Sequence, residues 1–358
     1  VAAFALGRAA FSARTGAWAA ALVAGAHPMV MRSAQLLSDL PAAACLVGGI
    51  AILVGELDRD SGPRWRMVAA APLLAAAFYL RYGSAPVIAL AIATACLMWW
   101  RAVVTRPIRV LATLAALAAL LIPHLLRSIA VTGTPLGILE VSGGMPRRAY
   151  VGEGLVTYLT SNPLAFYGAL IAPVMVAGLL GLVRARRKAP WYLAIVALGQ
   201  ITALGLSSHG QPRYVYAATV LLVVLGTGAV ARLGRPGLAL AAVVAAWLGV
   251  AVATVATCRI EDGLRAPILH AAEAIRADAG DRPCAVVAAI APQFTWYSRC
   301  EIYLPVLLGQ QPLPADRPRY AASFTRWPID LPALLASQHL RATPLPSGDP
   351  DARLWRLE

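Results

Sequence analysis

Charge is scarce in this sequence. Only 13% of its 358 residues are Asp, Glu, Lys or Arg, whereas soluble globular domains carry about 25%. Hydrophobic residues make up 59% of the chain. So few charged side chains cannot cover a water-soluble body of this size, which excludes an ordinary soluble domain. The composition indicates an integral membrane protein that crosses the bilayer many times.

Acidic residues are scarcer than basic ones, and the formal net charge is +14. The excess is not spread evenly, because the chain from Arg259 onward contains eleven arginines and eleven acids. All of the positive excess therefore lies earlier, in short loops between apolar runs, as in membrane topology signals. There is no basic tract with interleaved aromatic residues, so we expect no nucleic-acid partner.

Several motifs are missing as well. The sequence has no Gly-rich phosphate loop, which argues against a nucleotide cofactor. It has no Cys or His spacing typical of zinc, so we assign no metal-binding residues. A divalent cation is left open. Residues 1–11 lack the features of a signal peptide, and the first residue is Val1, so we expect the natural N-terminus to be missing.

Long apolar runs dominate the first 257 residues. A membrane-spanning helix needs about 20 mostly apolar residues. Residues 1–11 resemble the end of one span, and with the nine further candidates they predict an all-α polytopic protein of about nine to ten transmembrane helices. These candidates are residues 15–31, 38–55, 67–81, 84–100, 108–126, 163–183, 191–207, 212–231 and 236–257.

The loops between these runs predict the topology. When the Arg8/Arg14 loop is placed in the cytoplasm, the alternating loops hold fourteen positive residues inside and six outside. Positive residues favour the inside. The sequence thus predicts a multi-pass plasma-membrane domain over 1–257 and an extracytoplasmic domain over 258–358.

The last hundred residues predict a small α/β domain. Residues 263–280 have the pattern of an amphipathic helix ending at Gly280, 284–290 of a buried strand, and 352–357 of an edge strand. Outside the cell, Cys284 and Cys300 can be oxidised. We predict a disulfide between them, the alternative being two buried free thiols.

Polar residues recur where the predicted spans end on the outer side. They are His27, Arg32, Asp39, Arg81, His124, Arg127, His209 and Arg213. Arginine binds phosphate oxygens in pairs, so this rim suits an anionic ligand. Two simpler interpretations stay open. Each cation could be a separate interfacial anchor, and Asp39 or Ser38 could merely cap a helix.

Four segments in this order resemble the GT-C superfamily of membrane glycosyltransferases, and most nearly its family 39 branch of dolichyl-phosphate-mannose mannosyltransferases and aminoarabinose transferases. They are Gly-Arg-Ala-Ala-Phe-Ser-Ala-Arg-Thr-Gly (7–16) with its continuation to 22, Arg-Ser-Ala-Gln-Leu-Leu-Ser-Asp-Leu-Pro (32–41), Leu-Leu-Arg-Ser-Ile-Ala-Val-Thr-Gly-Thr-Pro (125–135) and His-Gly-Gln-Pro-Arg-Tyr (209–214). The resemblance covers about 1–257. Residues 292–300 are also similar to the outer domain of actinobacterial members.

The resemblance implies transfer of a sugar from a polyprenyl-phosphate carrier to an acceptor on the outer face, with inversion. Asp39 matches the family's second functional aspartate and is the expected catalytic residue. Position in the chain suggests a second set as ligands of the carrier phosphate: Arg81, Arg127, His209 and Arg213. Further candidates are His27, Arg32, His124 and Tyr214. The family's first outer loop bears an acid thought to activate the acceptor, and we expect that this chain does not contain that loop.

Two other functions fit the same features. A transporter or flippase of a lipid-linked anion would also place arginines near the membrane surface, although it predicts charges deeper in the spans and repeat symmetry. A non-catalytic membrane subunit with an outer binding domain predicts that the rim residues point in different directions.

Overall fold

The computed structural model describes residues 1–26, 29, 38–58, 64–144, 150–161, 171–232, 236–290, 292–305, 308 and 312–358. It divides into two compact units, Val1–Thr254 and Val255–Glu358. The α-helices that begin before the division are Ala2–Ala10, Ala13–Ala24, Asp39–Leu57, Ala70–Leu80, Ala85–Met98, Trp100–Thr105, Pro107–Thr132, Gly137–Gly144, Glu153–Thr160, Ile171–Gly181, Lys188–Ser207, Tyr216–Ala231 and Pro236–Ala279. Short 3-10 turns occupy Trp65–Ala69, Tyr82–Ser84, Leu182–Arg184 and Pro212–Val215.

Within the described residues, four helices are long and apolar enough to cross a membrane. They are Asp39–Leu57, Pro107–Thr132, Lys188–Ser207 and the run Pro212–Ala231. Shorter apolar helices cover Trp65–Leu80, Tyr82–Met98, Ile171–Arg184 and Val243–Val252. The predicted class, a polytopic helical membrane protein with a small C-terminal α/β part, is confirmed. The number of nine to ten crossings stays a prediction.

The Tyr216–Ala231 helix is the centre of the first unit. Every residue from Tyr216 to Gly228 is buried, as expected for a helix that is apolar on all sides. It crosses the Ile171–Gly181 helix where a Cβ on Gly226 would lie 2.0 Å from the Val174 carbonyl oxygen. Glycine is required there because the two backbones touch.

The Pro107–Thr132 helix shows the opposite burial. Leu111, Ile122 and Leu126 are each about half exposed or more, although the helix is strongly apolar. An apolar surface of this kind is unfavourable in water and favourable against lipid. Its burial pattern therefore supports placing this helix at the lipid boundary.

The second unit contains a five-stranded mixed sheet. Its strands are β1 (Ala285–Ala288), β2 (Glu301–Tyr303), β3 (Arg319–Phe324), β4 (Ala342–Leu345) and β5 (Ala352–Leu357), in the order β2-β1-β3-β5-β4. β1 is parallel to β2 and β3, whereas β5 is antiparallel to both β3 and β4. The helices Pro292–Ser298 and Leu331–Gln338 connect the strands.

Both faces of this sheet are covered. Val286 and Ala288 face a cluster that includes Ile275, while Ala285 and Val287 face one that includes Leu334. The alternation follows from the two-residue period of a strand. On the first face, the buried Tyr320 hydroxyl donates to the Asp278 carboxylate at 2.7 Å, and Arg356 lies 3.5 Å from that carboxylate.

One prediction for the tail is corrected. β5 is not an edge strand, because it pairs on both sides, with Tyr320 opposite Arg356 and Pro344 opposite Trp355. Alternating residues therefore indicate one buried face but not a free edge. The residues of the predicted span 236–257 and of the predicted helix 263–280 belong to a single helix, which runs from Pro236 to Ala279 and contains Pro267.

Cys284 and Cys300 form a disulfide, with Cα atoms 4.7 Å apart. Each cysteine immediately precedes one of two adjacent parallel strands, and the Glu301 amide donates to the Cys284 carbonyl at 2.9 Å. Strand pairing thus brings the two sulfur atoms together. Cys45 and Cys96 are free thiols.

Candidate functional site

Arg81 lies at a break between helices. Its extended backbone (φ −158°) separates the Ala70–Leu80 helix from the short turn that follows. The side chain forms an ion pair with Asp39, in the first turn of the Asp39–Leu57 helix, and Nη1 donates to the Arg213 carbonyl at 3.2 Å. The two charged side chains are only 21% and 11% exposed, respectively. Three distant chain segments therefore meet at one guanidinium.

Arg213 and Tyr214 form the other half of the cluster. They lie in the Pro212–Val215 turn that leads into the central helix. The guanidinium carbon of Arg81 is 4.5 Å from the centre of the Tyr214 ring, and that of Arg213 is 5.5 Å from it. Cation–π attraction is strongest where water is excluded, and Tyr214 is only 9% exposed. The ring thus holds two cations close together.

His209 joins the cluster through the same tyrosine. Its ring meets Tyr214 edge to face, with centroids 5.9 Å apart. The next residue, Gly210, has φ +81° and packs so closely that a Cβ would lie 2.8 Å from the Gly154 Cα. A left-handed glycine is needed at this turn, and it fixes the loop that presents His209.

Two of the predicted rim residues lie apart from these contacts. His124 is buried between Phe78 and Tyr82, at centroid distances of 4.8 and 5.0 Å. Arg127, one turn later on the same helix, is exposed. No described contact links Arg127 to Asp39 or the other arginines. His27 and Arg32 lie outside the described residues.

Asp39 does not cap its helix with its side chain, and neither does Ser38. The Asp39 carboxylate is instead committed to Arg81. The capping interpretation of this residue is therefore wrong, and the segments around Asp39, Arg81, His209 and Arg213 converge. Their roles as catalytic and phosphate-binding residues stay predictions.

The electrostatics of the cluster favour an anion. Within the described residues, Arg213 has no carboxylate partner, and its buried Nε–H has no hydrogen-bond acceptor. A buried donor without a partner costs about 1–3 kcal/mol. One carboxylate beside two guanidiniums leaves a net positive charge. An anionic oxygen at Arg213 would satisfy the donor and balance this charge.

Gln200 is a residue that the sequence analysis missed. It is 5% exposed in the apolar Lys188–Ser207 helix, and its Nε2 donates to the Tyr214 carbonyl at 2.9 Å. Its Oε1 is buried without a partner in the described chain. A lone amide in an otherwise apolar span is the signal that could have identified it.

The opposite end of the same helices carries a second polar group. Asp58 pairs with Arg187 and accepts the Trp99 indole N–H at 3.2 Å. Glu56, 5% exposed, accepts the Arg64 amide at 2.9 Å. These acids are engaged by neighbouring loops, which indicates that they tie helix ends together. Among the described residues, no group of three or more His, Cys, Asp or Glu could hold a metal ion.

No protein-family model matches the sequence, and no curated protein matches it. Solved structures do match its fold. ArnT from Cupriavidus metallidurans bound to undecaprenyl phosphate aligns with a TM-score of 0.67 and 16% identity over 99% of this chain and 81% of that one. The apo state of the same protein aligns with a TM-score of 0.67 and 15% identity over 99% and 80%. The resemblance stated from the sequence is thus confirmed at the level of the fold: this chain has the fold of ArnT, an aminoarabinose transferase of GT-C family 39.

Proposed function

We propose that this protein is a membrane glycosyltransferase that moves a sugar from a polyprenyl-phosphate carrier to an acceptor on the outer face of the membrane, with inversion. The observation that carries the proposal is the buried, unpartnered Nε–H of Arg213 beside the Arg81–Asp39 pair. Such a donor in a cationic cluster fits a phosphate oxygen. The fold supports the carrier's identity, because ArnT of the same fold binds undecaprenyl phosphate.

The proposed transfer step is a displacement at the anomeric carbon of the sugar. An acceptor hydroxyl attacks the anomeric carbon, the bond from that carbon to the phosphate oxygen breaks, and the hydroxyl proton passes to the acid that the resemblance assigns to the family's first outer loop. The bonding electrons leave on the lipid phosphate, so negative charge grows where Arg213 and Arg81 lie. Preorganised cations that stabilise developing charge supply a large part of catalysis. Direct displacement inverts the anomeric carbon.

Asp39 acts in this scheme through Arg81. Its carboxylate is ion-paired with that guanidinium, which orients the arginine and prevents repulsion from Arg213 when no ligand is bound. Asp39 is therefore proposed as the residue that positions Arg81, which refines the catalytic role predicted from the sequence. His209 contacts Tyr214 and holds the ring against which both cations pack.

The outer location is part of the proposal and rests on the distribution of positive loops. A periplasm-active reporter fused after Glu358 should be active, and a reporter active only in the cytoplasm should be silent at the same position. The reverse pattern would place the cluster on the inner side and contradict the proposed sidedness.

Binding and transfer are measured with the purified full-length protein in liposomes. The probes are undecaprenyl phosphate and undecaprenyl phosphates carrying labelled arabinose, mannose or glucose. Arg213→Gln should lower the affinity for undecaprenyl phosphate at least about tenfold, which is the effect of losing one charge-assisted hydrogen bond. The matched control is Arg106→Gln, which removes an exposed arginine before the Pro107–Thr132 helix.

Cleavage distinguishes the proposal from a flippase. A transferase releases undecaprenyl phosphate as the label moves to an acceptor, whereas a flippase carries the intact lipid across the bilayer. Transport without cleavage, or equal lipid affinities for Arg213→Gln and Arg106→Gln, would contradict the proposal.

A further inference from the structure

Two residues linked to Tyr214, one by sequence and one by a hydrogen bond, each have a buried polar atom without a partner in the part of the chain that the structure describes. Arg213, which precedes Tyr214, leaves an Nε–H donor unsatisfied, and Gln200, which binds its carbonyl, leaves an Oε1 acceptor unsatisfied. In native proteins most buried polar groups are paired, and an exception needs an explanation. His124 Nε2 is a further atom of this kind, and the two atoms near Tyr214 are of opposite hydrogen-bonding type.

The hydrogen bond to the Tyr214 carbonyl shows which amide atom of Gln200 has no partner. A carbonyl oxygen only accepts, so the amide NH₂ must face the Tyr214 carbonyl and Oε1 must point elsewhere. Oε1 can bind only a donor. The residue lies on an apolar helix and is 5% exposed, so bulk water does not satisfy it.

A ligand that satisfies both atoms needs an anionic oxygen and a nearby hydroxyl or ammonium. A sugar attached to a phosphate has both groups, separated by a few bonds. A lipid phosphate without the sugar has only the first. The pair of orphan atoms therefore matches a glycosyl phosphate more completely than a free phosphate.

We propose that Gln200 is a binding residue for the sugar of the donor substrate, whose Oε1 accepts a hydrogen bond from a sugar hydroxyl or ammonium while Arg213 binds the phosphate. This inference rests on the proposed function and extends it from the phosphate to the sugar. In this proposal Arg213 recognises the phosphate of the carrier and Gln200 recognises the sugar.

Gln200→Leu removes the amide with little change in volume, and Gln200→Met is a second variant with an unbranched side chain. Affinities are measured for undecaprenyl phosphate and for its arabinose, mannose and glucose conjugates. In the wild type, at least one conjugate should bind more tightly than undecaprenyl phosphate. In both variants the affinity for that conjugate should fall about tenfold or more. The affinity for undecaprenyl phosphate should change less than about twofold.

The control is Ser207→Ala on the same helix, whose exposed hydroxyl bonds only to the Ala203 carbonyl in the described chain. It should leave both affinities unchanged. Arg213→Gln should lower the affinities for the conjugate and for undecaprenyl phosphate equally, which is the pattern expected for a residue that binds the phosphate. Thermal midpoints of the variants show which of them remain folded.

Two results would overturn the inference. Equal weakening of both lipids in the Gln200 variants would mean that the amide only braces the Tyr214 carbonyl and, through it, Arg213. Unchanged affinities would mean that a buried water occupies Oε1. If the wild type binds neither lipid, the proposed function itself fails, and that outcome is distinct from the other two.

Discussion

The ion pair between Asp39 and Arg81 can be tested by a double-mutant cycle. The changes are Asp39→Asn, Arg81→Gln and both together. Arg81 contacts the Asp39 carboxylate, the Arg213 carbonyl and the Tyr214 ring. Each side chain is less than a quarter exposed, so solvent and salt screen the pair less than they screen a surface pair.

The expected magnitudes follow from these contacts. A hydrogen bond with one charged partner contributes about 1.5–3 kcal/mol, and both hydrogen bonds of the Arg81 guanidinium are of this kind. A desolvated cation–π contact adds about 1–2 kcal/mol. Arg81→Gln, which loses all three contacts, should cost at least about 4 kcal/mol. Asp39→Asn keeps a side-chain acceptor and should cost about 2 kcal/mol, with a coupling energy of about 2 kcal/mol between the two changes.

The free energy of unfolding is measured by reversible denaturation of the detergent-solubilised protein with sodium dodecyl sulfate, at low and high salt. The exposed pair Arg317–Glu301, at 3.2 Å with side chains 31% and 58% exposed, is the control cycle and should couple by less than about 1 kcal/mol. A coupling energy for Asp39 and Arg81 as small as the control, or one abolished by salt, would refute the claim that this pair organises the site.

Three further predictions concern stability. Replacing Cys284 and Cys300 by alanine should cost about 3 kcal/mol, since the disulfide closes a loop of sixteen residues, and reductant should then no longer lower the thermal midpoint. Burial and the hydrogen bond to its carboxylate partner raise the pKa of Tyr320 above its ordinary value, so stability is complete below about pH 10 and falls as the pH rises beyond it. In unfolding curves measured over a pH series, Tyr320→Phe should reduce the loss of unfolding free energy at alkaline pH. The same dependence on pH in both proteins would contradict the assignment of this loss to Tyr320. Gly226→Ala should destabilise by about 1–3 kcal/mol because its Cβ meets a carbonyl oxygen, whereas Gly249→Ala, with open space around it, should stabilise its helix by about 0.5–1 kcal/mol.

The helix ends that form the site could be predicted because each is visible locally. Asp39, Arg81 and Arg213 interrupt apolar runs, and a charge at the end of such a run stands out by composition alone. Arg127 interrupts a run in the same way, yet its side chain is exposed. Local sequence shows that a residue ends a span, but the direction of its side chain depends on which helices pack beside it.

Gln200 shows the converse limit. The lone amide is visible in its apolar helix, but its hydrogen bond to the Tyr214 carbonyl joins two separate segments and is visible only in the tertiary structure. The position of β5 is similar. Its alternation correctly indicated a strand with a buried face, but pairing with β3 on one side and β4 on the other is a long-range property.

The sequence by itself determined that the chain is a polytopic membrane protein with a small α/β tail, because hydrophobic run length, loop charge and strand alternation act over short stretches. It also supplied the cations that the proposed anionic substrate requires. Only the tertiary structure decided that Asp39 binds Arg81, that Tyr214 holds two guanidiniums, and that Arg213 and Gln200 each keep one polar atom buried without a protein partner. These contacts join residues far apart in the chain, and close packing selects them from many pairings that local sequence permits equally.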